Sequence, residues 1–346
     1  MEETQAGAPQ FLMVDEYGAY LGKRSQRIQV RKGSETLREM PLLKLEGVIV
    51  SSQGVTLSSD AIAACAQAGI PIHFVRYSGW VEASIYSAGL IGTVQTRRAQ
   101  LAALNAPSGV ALARSFARAK IANQAALIRY LAKYRRAAEP ELGERLEAAA
   151  RGILRGGAEI DALAVEQMDE IRLPLLAAEG RAADRYWQAV RLAVRVPEGW
   201  PGRVGRGADD PFNASLNYGY GILYCQVERA VVLAGLDPYG GFIHADRPGK
   251  PSLVLDLIEE FRAPAVDRAI FALWNRGGKV ELDQEGRLPS EARRGIADAV
   301  LDRLERDERY HGRKLALRHV IQTQARQVAT YLRGDRKCYE PFIARW

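Results

Sequence analysis

The hydrophobic pattern of the chain changes near residue 96, and this change limits the possible folds more than any other feature. Residues 11 to 95 contain short apolar segments, such as LEGVIV and IPIHFV, separated by Gly and Ser turns. Such segments are typical of β-strands. Between these two, SSDAIAACAQAG has a polar start, an Ala-rich body and a final Gly, which predicts one helix. We therefore expect an N-terminal β-rich domain over residues 1–95.

From residue 97 onward the apolar residues recur every three or four positions, as in ARSFARAKIANQAALIRYLAKY. This spacing indicates amphipathic helices. The segment VPEGWPGRVGRGADDP contains four Gly and three Pro and predicts a loop. At its end, Asp210-Pro211 predicts the start of the next helix. We predict an all-α catalytic domain over residues 96–346, so the expected fold class is α+β.

The composition argues against several classes of protein. The three Cys are far apart and form no CxxC pair, which excludes zinc ribbons and disulfide frameworks. The polar start MEETQAGAPQ is unlike a signal peptide, and every apolar run is shorter than the roughly 20 residues of a membrane span. There is no GxxxxGK[ST], GxSxG or HExxH motif. We expect a cytoplasmic protein with no membrane contact.

The charge distribution predicts a nucleic-acid contact. The chain has 48 Lys and Arg against 41 Asp and Glu, but the stretch between Glu82 and Glu139 contains nine bases and no acid. Two pairs of these bases are spaced four apart, so each pair shares a helix face. A face with one sign of charge predicts phosphate contacts; the alternative is a face toward water or a dimer mate. With two Arg of the Gly-rich loop, the candidate DNA-binding residues are Arg114, Arg118, Arg129, Lys133, Arg203 and Arg206.

Acidic side chains in an apolar segment suggest a metal site. Asp256 and Glu259 lie three residues apart in LVLDLIEEF, so on a helix they share one face, where they repel each other unless a cation is near. Oxygen ligands suit Mg²⁺ or Mn²⁺, and a nitrogen of His244 would complete the set. The alternative is that the two acids pair with Arg262 or Arg268, with His244 as an ordinary polar residue.

Glu179 is a further candidate ligand. It follows an apolar Leu-Leu-Ala-Ala run and precedes Gly180, which places it at a bend or start of a helix where a ligand can approach. The alternative is a glutamate that the dipole favours at a helix N-terminus.

Three segments together resemble a known family. They are RAKIANQAALIRY, LLAAEGRAADRYW and DDPFNASLNYGYGILYCQVERAVVLAGLDPYGGFIHADRPGKPSLVLDLIEEFRAPAVDR, and they are similar to the CRISPR-associated integrase family usually called Cas1. The resemblance covers nearly the whole chain and also includes the strand-rich start. It implies a β-rich N-terminal domain joined to a helical catalytic domain. It further implies a metal-dependent DNA endonuclease and integrase that inserts spacer DNA into a CRISPR array.

The resemblance also implies the site residues. The family's metal ligands fall on Glu179 in the EGxxA helix, His244 in the G-F-x-H turn and Glu259 in the last motif, with Asp256 as an adjacent catalytic residue. Some members carry Asp where this chain has Glu259, which leaves the assignment open between Asp256 and Glu259. The implied cofactor is Mg²⁺ or Mn²⁺. The implied partners are duplex DNA, a second copy of the chain and a small Cas2 dimer.

Two alternatives to integration stay open. The same active site would serve a structure-selective nuclease that acts on branched DNA. If the acids form salt bridges only, the chain is a non-catalytic DNA-binding scaffold.

Overall fold

A computed structural model describes residues 10–87, 94–205, 207–278 and 280–346. The first of these ranges is rich in strands. Its elements are β1 (Gln10–Val14), β2 (Tyr20–Arg24), β3 (Arg27–Lys32), β4 (Glu35–Pro41), β5 (Leu45–Val50), β6 (Thr56–Leu57), α1 (Ser59–Gln67), β7 (Ile72–Val75) and β8 (Val81–Ile85). The helix predicted between the two strands is confirmed: α1 begins after Ser58, whose hydroxyl accepts a 3.2 Å hydrogen bond from the Ala61 N–H.

The strands form two sheets, in the orders β1-β5-β7-β8 and β4-β3-β2-β6. In the first sheet β1, β5 and β7 are parallel, and both of its faces are covered. Side chains of a strand point alternately to opposite faces: Val48 and Val50 of β5 pack in the core of the strand-rich part, whereas Ile49 packs in the core of the helices. Burial on both sides explains why β5 ends in the continuous apolar run Val48-Ile49-Val50 rather than in alternating apolar and polar residues.

The remaining ranges are mainly helical. Their helices are α2 (Val94–Ala103), α3 (Pro107–Arg135), α4 (Pro140–Asp161), α5 (Met168–Ala193), α6 (Pro211–Leu233), α7 (Ser252–Leu257), α8 (Arg268–Asn275), α9 (Ser290–Glu305) and α10 (Leu317–Leu332). The predicted α+β class is confirmed, and α6 begins with Asp210 as its cap, as predicted. We retain the predicted domains, residues 1–95 and 96–346, as a proposal.

A hairpin interrupts the helical part, and the sequence did not predict it. Its strands are β9 (Asp307–Tyr310) and β10 (Arg313–Ala316). DERY and RKLA show no apolar alternation, so the pattern gives no strand signal. The hairpin is instead indicated by its turn. His311 and Gly312 both have positive φ angles, 45° and 77°, as a tight hairpin turn requires.

Helix α6 contacts the strand-rich part through glycine. A Cβ atom on Gly221 would lie 2.0 Å from the carbonyl oxygen of Gly79, so no larger side chain fits there. The contact fixes α6 against the turn that follows β7. Gly219 is similarly restricted, because a Cβ atom on it would lie 2.7 Å from Cγ1 of Val266.

The polypeptide between α7 and α8 is irregular. A 3₁₀ turn over Ile258–Glu260 is followed by a wider π-type turn over Arg262–Asp267, and this second turn contains Pro264, which has no backbone N–H to donate. This segment packs against α3 and α6, and the candidate site lies where it meets α3 and α5.

Among the described residues, no helix is both long enough and apolar enough to cross a lipid bilayer.

Candidate active site

The structure brings Glu179 and Glu259 together on one cation. Lys120, in the middle of α3, contacts Oε1 of Glu179 on α5, and its Nζ lies 2.9 Å from Oε2 of Glu259. Only 15%, 12% and 3% of the three side chains are exposed, so the charges are largely removed from water. Two acids 80 positions apart in the chain therefore meet at one point, as the proposed metal site requires.

Positive neighbours keep Glu259 ionised. Burial by itself raises the pKa of this carboxyl, but the charges of Arg262 and Lys120, together with the hydrogen bond from Lys120, outweigh burial and lower the pKa to about 2. Arg262 Nε lies 3.2 Å from Oε1 of Glu259, which is one of the pairings that the sequence left open. Burial likewise lowers the pKa of Lys120, but the two glutamates raise it above its usual value. The lysine is therefore an ammonium ion here.

Glu179 lies within a helix and not at its start or at a bend. It is the twelfth residue of the 26-residue helix α5, so the predicted position was wrong. Gly180 does not end the helix, because α5 continues beyond it to Ala193. The acid therefore projects from a continuous helix toward α3.

Asp256 organises the turn that carries His244. One of its carboxylate oxygens accepts hydrogen bonds from the backbone N–H groups of Phe242 and Ile243, at 2.6 and 3.1 Å. The other oxygen accepts the N–H of His244 at 3.0 Å and lies 2.7 Å from its Nδ1. Because an ionised carboxylate only accepts, Nδ1 carries the hydrogen and Nε2 keeps its lone pair.

Asp256 and Glu259 do not act as a pair. The sequence placed them on one helix face, but α7 ends at Leu257, before Glu259. Asp256 binds the 242–244 turn, whereas Glu259 contacts Lys120 and Arg262. This difference favours Glu259 as the metal ligand and Asp256 as the residue that positions His244.

The side chains of Glu179, His244 and Glu259 are of the types that bind a divalent cation, although they are not arranged around a common point. In the described parts of the chain, no three His, Cys, Asp or Glu side chains are arranged to hold a metal. Lys120 occupies the space between the two glutamates, and Oε2 of Glu179 is buried without a hydrogen bond. Two carboxylates and one imidazole are ligands that Mg²⁺ and Mn²⁺ accept, so we retain Glu179, His244 and Glu259 as the proposed ligands.

A cavity of about 150 Å³ lies beside the Lys120 ammonium. Its charged lining consists of Lys120, Arg203, Arg262, Glu259 and Asp267, and its aromatic walls are Trp187 and Tyr220. The lining carries three bases against two acids, and burial raises the pKa of Asp267 to about 6 although two tyrosines donate to it. The cavity is therefore suited to an anion.

Arg203 enters this cavity from the Gly-rich loop. Its guanidinium donates to Oδ1 of Asn217 at 2.6 Å and to Oδ1 of Asn213 at 3.2 Å, and it lies over the ring of Tyr220. The DNA contact of Arg203 stays a prediction, and the structure gives the position of its guanidinium. Arg206, the other loop candidate, lies outside the described residues.

The predicted basic face of α3 meets the acids of α4. Arg118 lies 3.1 Å from Asp161, and Arg129 lies 3.1 Å from Glu147. These acids come later in the chain than the acid-free stretch, so the sequence pattern alone did not reveal them. DNA binding by this face stays a prediction, and the ion pairs give both arginines a structural role in addition.

Arg114 is less available than its sequence suggests. Its guanidinium donates to the carbonyl oxygens of Ile160, Leu163 and Val165, at 3.1, 2.5 and 2.7 Å. These carbonyls lie at and beyond the C-terminal end of α4, where helical carbonyls lack intrahelical partners. Among the α3 candidates, Lys133 has an exposed side chain.

Three residues of the site were not identified from the sequence. Lys120 was counted only as one of nine bases. Arg172 of α5 donates to the Phe242 carbonyl at 3.2 Å, and Gln100 of α2 donates to the carbonyls of Asp237 and Gly240. All three residues connect segments that are far apart in sequence. The one local signal for any of them was the position of Lys120 between the apolar residues Ala119 and Ile121, which are buried.

Comparison with known proteins identifies the family. Residues 12–300 match the family model described as CRISPR associated protein Cas1. A CRISPR-associated endonuclease Cas1 of Archaeoglobus fulgidus is 38% identical, with 97% of this chain and 99% of that protein covered. One from Francisella tularensis subsp. novicida is 31% identical, again with 97% and 99% covered.

Solved structures agree in fold. A casposase bound to an integration product aligns with a TM-score of 0.78 at 21% identity, covering 96% of this chain and 93% of the other. A CAS1 protein from Thermotoga maritima aligns with a TM-score of 0.76 at 18% identity, covering 95% and 99%. The family match spans most of the chain and the curated relatives match over nearly their full length, so this protein belongs to the Cas1 family of CRISPR-associated proteins.

Proposed function

We propose that the protein is a metal-dependent DNA endonuclease and integrase that inserts spacer DNA into a CRISPR array by strand transfer. One observation carries this proposal: Glu179 and Glu259, from separate elements, converge on a single cation beside an anion-suited cavity. Its relatives are named endonucleases, and a casposase with an integration product has a similar fold. These findings support phosphoryl transfer on DNA.

The proposed ligands each have a defined part. Glu179 and Glu259 supply carboxylate oxygens and His244 supplies Nε2. When bound, Mg²⁺ or Mn²⁺ polarises a phosphodiester and stabilises charge on the attacking and leaving oxygens. Asp256 holds the hydrogen of His244 on Nδ1, which keeps the other nitrogen available.

The bases beside the ligands hold the substrate in this proposal. Arg262 and Arg203 line the cavity and present guanidinium groups, which bind phosphate oxygens in a fixed planar geometry. A phosphodiester bound there lies next to the two carboxylates. The attacking group is the 3′-hydroxyl of the incoming DNA in joining, or water in cleavage.

The comparisons also support a proposal for the DNA and Cas2 partners. Solved structures of similar fold include a Cas6-RT-Cas1–Cas2 complex, which aligns with a TM-score of 0.76 at 22% identity. The alignment covers 37% of the length of that other chain. We propose that this protein likewise binds duplex DNA, forms a homodimer and assembles with a small Cas2 protein. Cross-linking of the purified chain with and without Cas2 tests the assembly.

The function is tested by the joining of a labelled duplex to a plasmid that carries CRISPR repeats. We expect joining in Mn²⁺ or Mg²⁺, loss with a chelator and loss in Glu179→Gln. The matched control Glu170→Gln, an exposed acid on the same helix, should join normally. Cleavage of branched DNA without joining would indicate a structure-selective nuclease. DNA binding that a chelator leaves unchanged, without cleavage or joining, would indicate a scaffold and contradict the proposal.

A further inference from the structure

We infer that Lys120 takes the place of the divalent cation in the metal-free protein, so that metal binds tightly only together with a DNA phosphate. The inference rests on the proposed function, since it takes Glu179 and Glu259 as metal ligands. It adds a means by which the substrate controls the loading of the site.

The geometry places the ammonium where the ion would be. Lys120 contacts Glu179 Oε1 and Glu259 Oε2 at once. An ion bound between these carboxylates and the ammonium cannot occupy the same space, so metal binding must displace the lysine. The flexible four-carbon stem of lysine permits this movement, and the cavity of about 150 Å³ that Lys120 lines provides the room.

The charges make metal binding unfavourable without a further anion. In the metal-free site, Glu179 and Glu259 are balanced by Lys120 and Arg262. A divalent cation adds two positive charges to groups that are largely buried, where an uncompensated charge costs much more than in water. The site then lacks two negative charges, which is the charge of the added ion.

A phosphodiester supplies one of the two missing negative charges. The cavity next to the carboxylates presents Arg203 and Arg262, and the displaced ammonium adds a third cation to the same lining. A phosphodiester held there carries one negative charge, which offsets part of the positive charge of these bases and the ion. Because coupling between two ligands is reciprocal, the metal must also strengthen the binding of the phosphate. The protein would therefore assemble its catalytic site only on DNA.

The test measures Mn²⁺ affinity by the electron paramagnetic resonance signal of free Mn²⁺. The full-length chain is titrated alone and with a DNA duplex whose 3′ ends are dideoxy, which prevents joining. For the unchanged protein we expect DNA to tighten Mn²⁺ binding by about tenfold or more, within the usual range of such coupling. For Lys120→Met we expect tight binding without DNA and a coupling of less than about threefold.

Two further variants serve as a control and a second replacement. Lys23→Met removes an exposed lysine of β2 and should titrate like the unchanged protein. Lys120→Gln removes the charge but keeps a polar side chain, and should resemble Lys120→Met. Without metal, both Lys120 variants should melt at a lower temperature, because the two carboxylates lose their shared cation. Mn²⁺ should raise their melting temperature more than it raises that of the unchanged protein.

The outcomes separate this inference from the proposed function. If the unchanged protein binds no Mn²⁺, with or without DNA, or if Glu179→Gln binds it equally well, the proposed function fails. If the unchanged protein binds Mn²⁺ tightly without DNA, or if both Lys120 variants titrate as it does, the metal site stands but the role of Lys120 is overturned. Should neither Lys120 variant fold, an absence of coupling in the unchanged protein is sufficient to overturn it.

Discussion

His244 Nδ1 lies 2.7 Å from Oδ1 of Asp256, and this carboxylate also binds the backbone N–H of the same histidine. The acid therefore fixes both the position of the turn and the tautomer of the ring. Residues that orient a metal-binding histidine in this way commonly change metal affinity by about 10- to 100-fold when replaced.

Replacing Asp256 by Asn should weaken Mn²⁺ binding by about 10- to 100-fold. An amide cannot hold the charge of the carboxylate, and it can donate as well as accept, so the histidine no longer keeps a single tautomer. Calorimetric titration with Mn²⁺ in the presence of the dideoxy-ended duplex measures the affinity, and ¹⁵N NMR of the ring reports the tautomer. Asp246→Asn, at an exposed acid of the same loop that accepts from Gly241, is the control. An unchanged tautomer and affinity in Asp256→Asn would show that the turn is held by other contacts.

The contacts of Arg114 predict a loss of stability rather than of DNA affinity. Its guanidinium donates three hydrogen bonds to carbonyls at the end of α4. Because bonds from charged groups are strong, Arg114→Met should lower the free energy of unfolding by about 3 kcal/mol. Arg118→Met, which removes an exposed ion pair with Asp161, should cost less than about 1 kcal/mol. Urea unfolding of both variants measures this difference.

Arg118→Met also tests the predicted DNA contact of α3. If Arg118 binds a phosphate, Arg118→Met should reduce the slope of log affinity against log salt by about one. Fluorescence anisotropy with a labelled duplex over a series of salt concentrations measures the slope. An unchanged slope would assign Arg118 to its ion pair with Asp161 alone.

Part of this architecture is readable from the sequence and part is not. Local signals are reliable: the Ser58 and Asp210 caps begin helices as their positions predict. Relationships between distant segments leave no local pattern. The acid-free stretch around Arg118 gave no sign that Asp161 would lie beside it, and nothing near Lys120 reveals that two acids far along the chain converge on it.

The resemblance to the Cas1 family, rather than spacing, selected the proposed ligands. Spacing alone paired Asp256 with Glu259, because it assumed a continuous helix. The helix ends at Leu257 and a 3₁₀ turn follows, and the two acids have different partners: Asp256 binds the 242–244 turn, whereas Glu259 contacts Lys120 and Arg262. A change of helix type within one turn depends on tertiary packing and carries no hydrophobic periodicity that a sequence reading can detect.

The protonation of Asp267 should make the free energy of unfolding depend on pH. Burial raises the pKa of this carboxyl from an ordinary value of 3.8 to about 6, against the hydrogen bonds from Tyr186 and Tyr220. A raised pKa means that the folded state holds the proton more tightly, so the contribution to stability is complete below about pH 4 and is lost as the pH rises through about 6. The total change corresponds to about 3 kcal/mol.

Asp267→Asn should remove that dependence, because the amide does not titrate. We expect the difference in unfolding free energy between the unchanged protein and this variant to fall by about 3 kcal/mol between about pH 4 and pH 7. Urea unfolding at a series of pH values measures it. Asp184→Asn, at an exposed acid of α5, should show a constant difference. A constant difference for Asp267→Asn as well would mean that this carboxyl is ionised throughout.

Asn123 should couple the C-terminal segment to the candidate site. Its amide donates to the carbonyl oxygens of Glu260 and Phe342, both at 2.8 Å, and its oxygen accepts from the Ala344 N–H at 2.8 Å. Asn123→Ala leaves these buried backbone groups unpaired, so it should lower the free energy of unfolding by about 3 kcal/mol. Because Glu260 adjoins Glu259, Mn²⁺ affinity should fall too. Calorimetric titration measures the Mn²⁺ affinity, and urea unfolding measures the free energy of unfolding. An unchanged free energy of unfolding would show that water replaces the amide.

The most direct test of the central claim is anomalous diffraction from crystals of the full-length chain with DNA and Mn²⁺. Our account predicts one Mn²⁺ peak at coordination distance from Glu179, Glu259 and Nε2 of His244, with the Lys120 ammonium moved into the adjacent cavity. A structure in which Lys120 still joins the two glutamates, with Mn²⁺ absent or bound elsewhere on the protein, would contradict it.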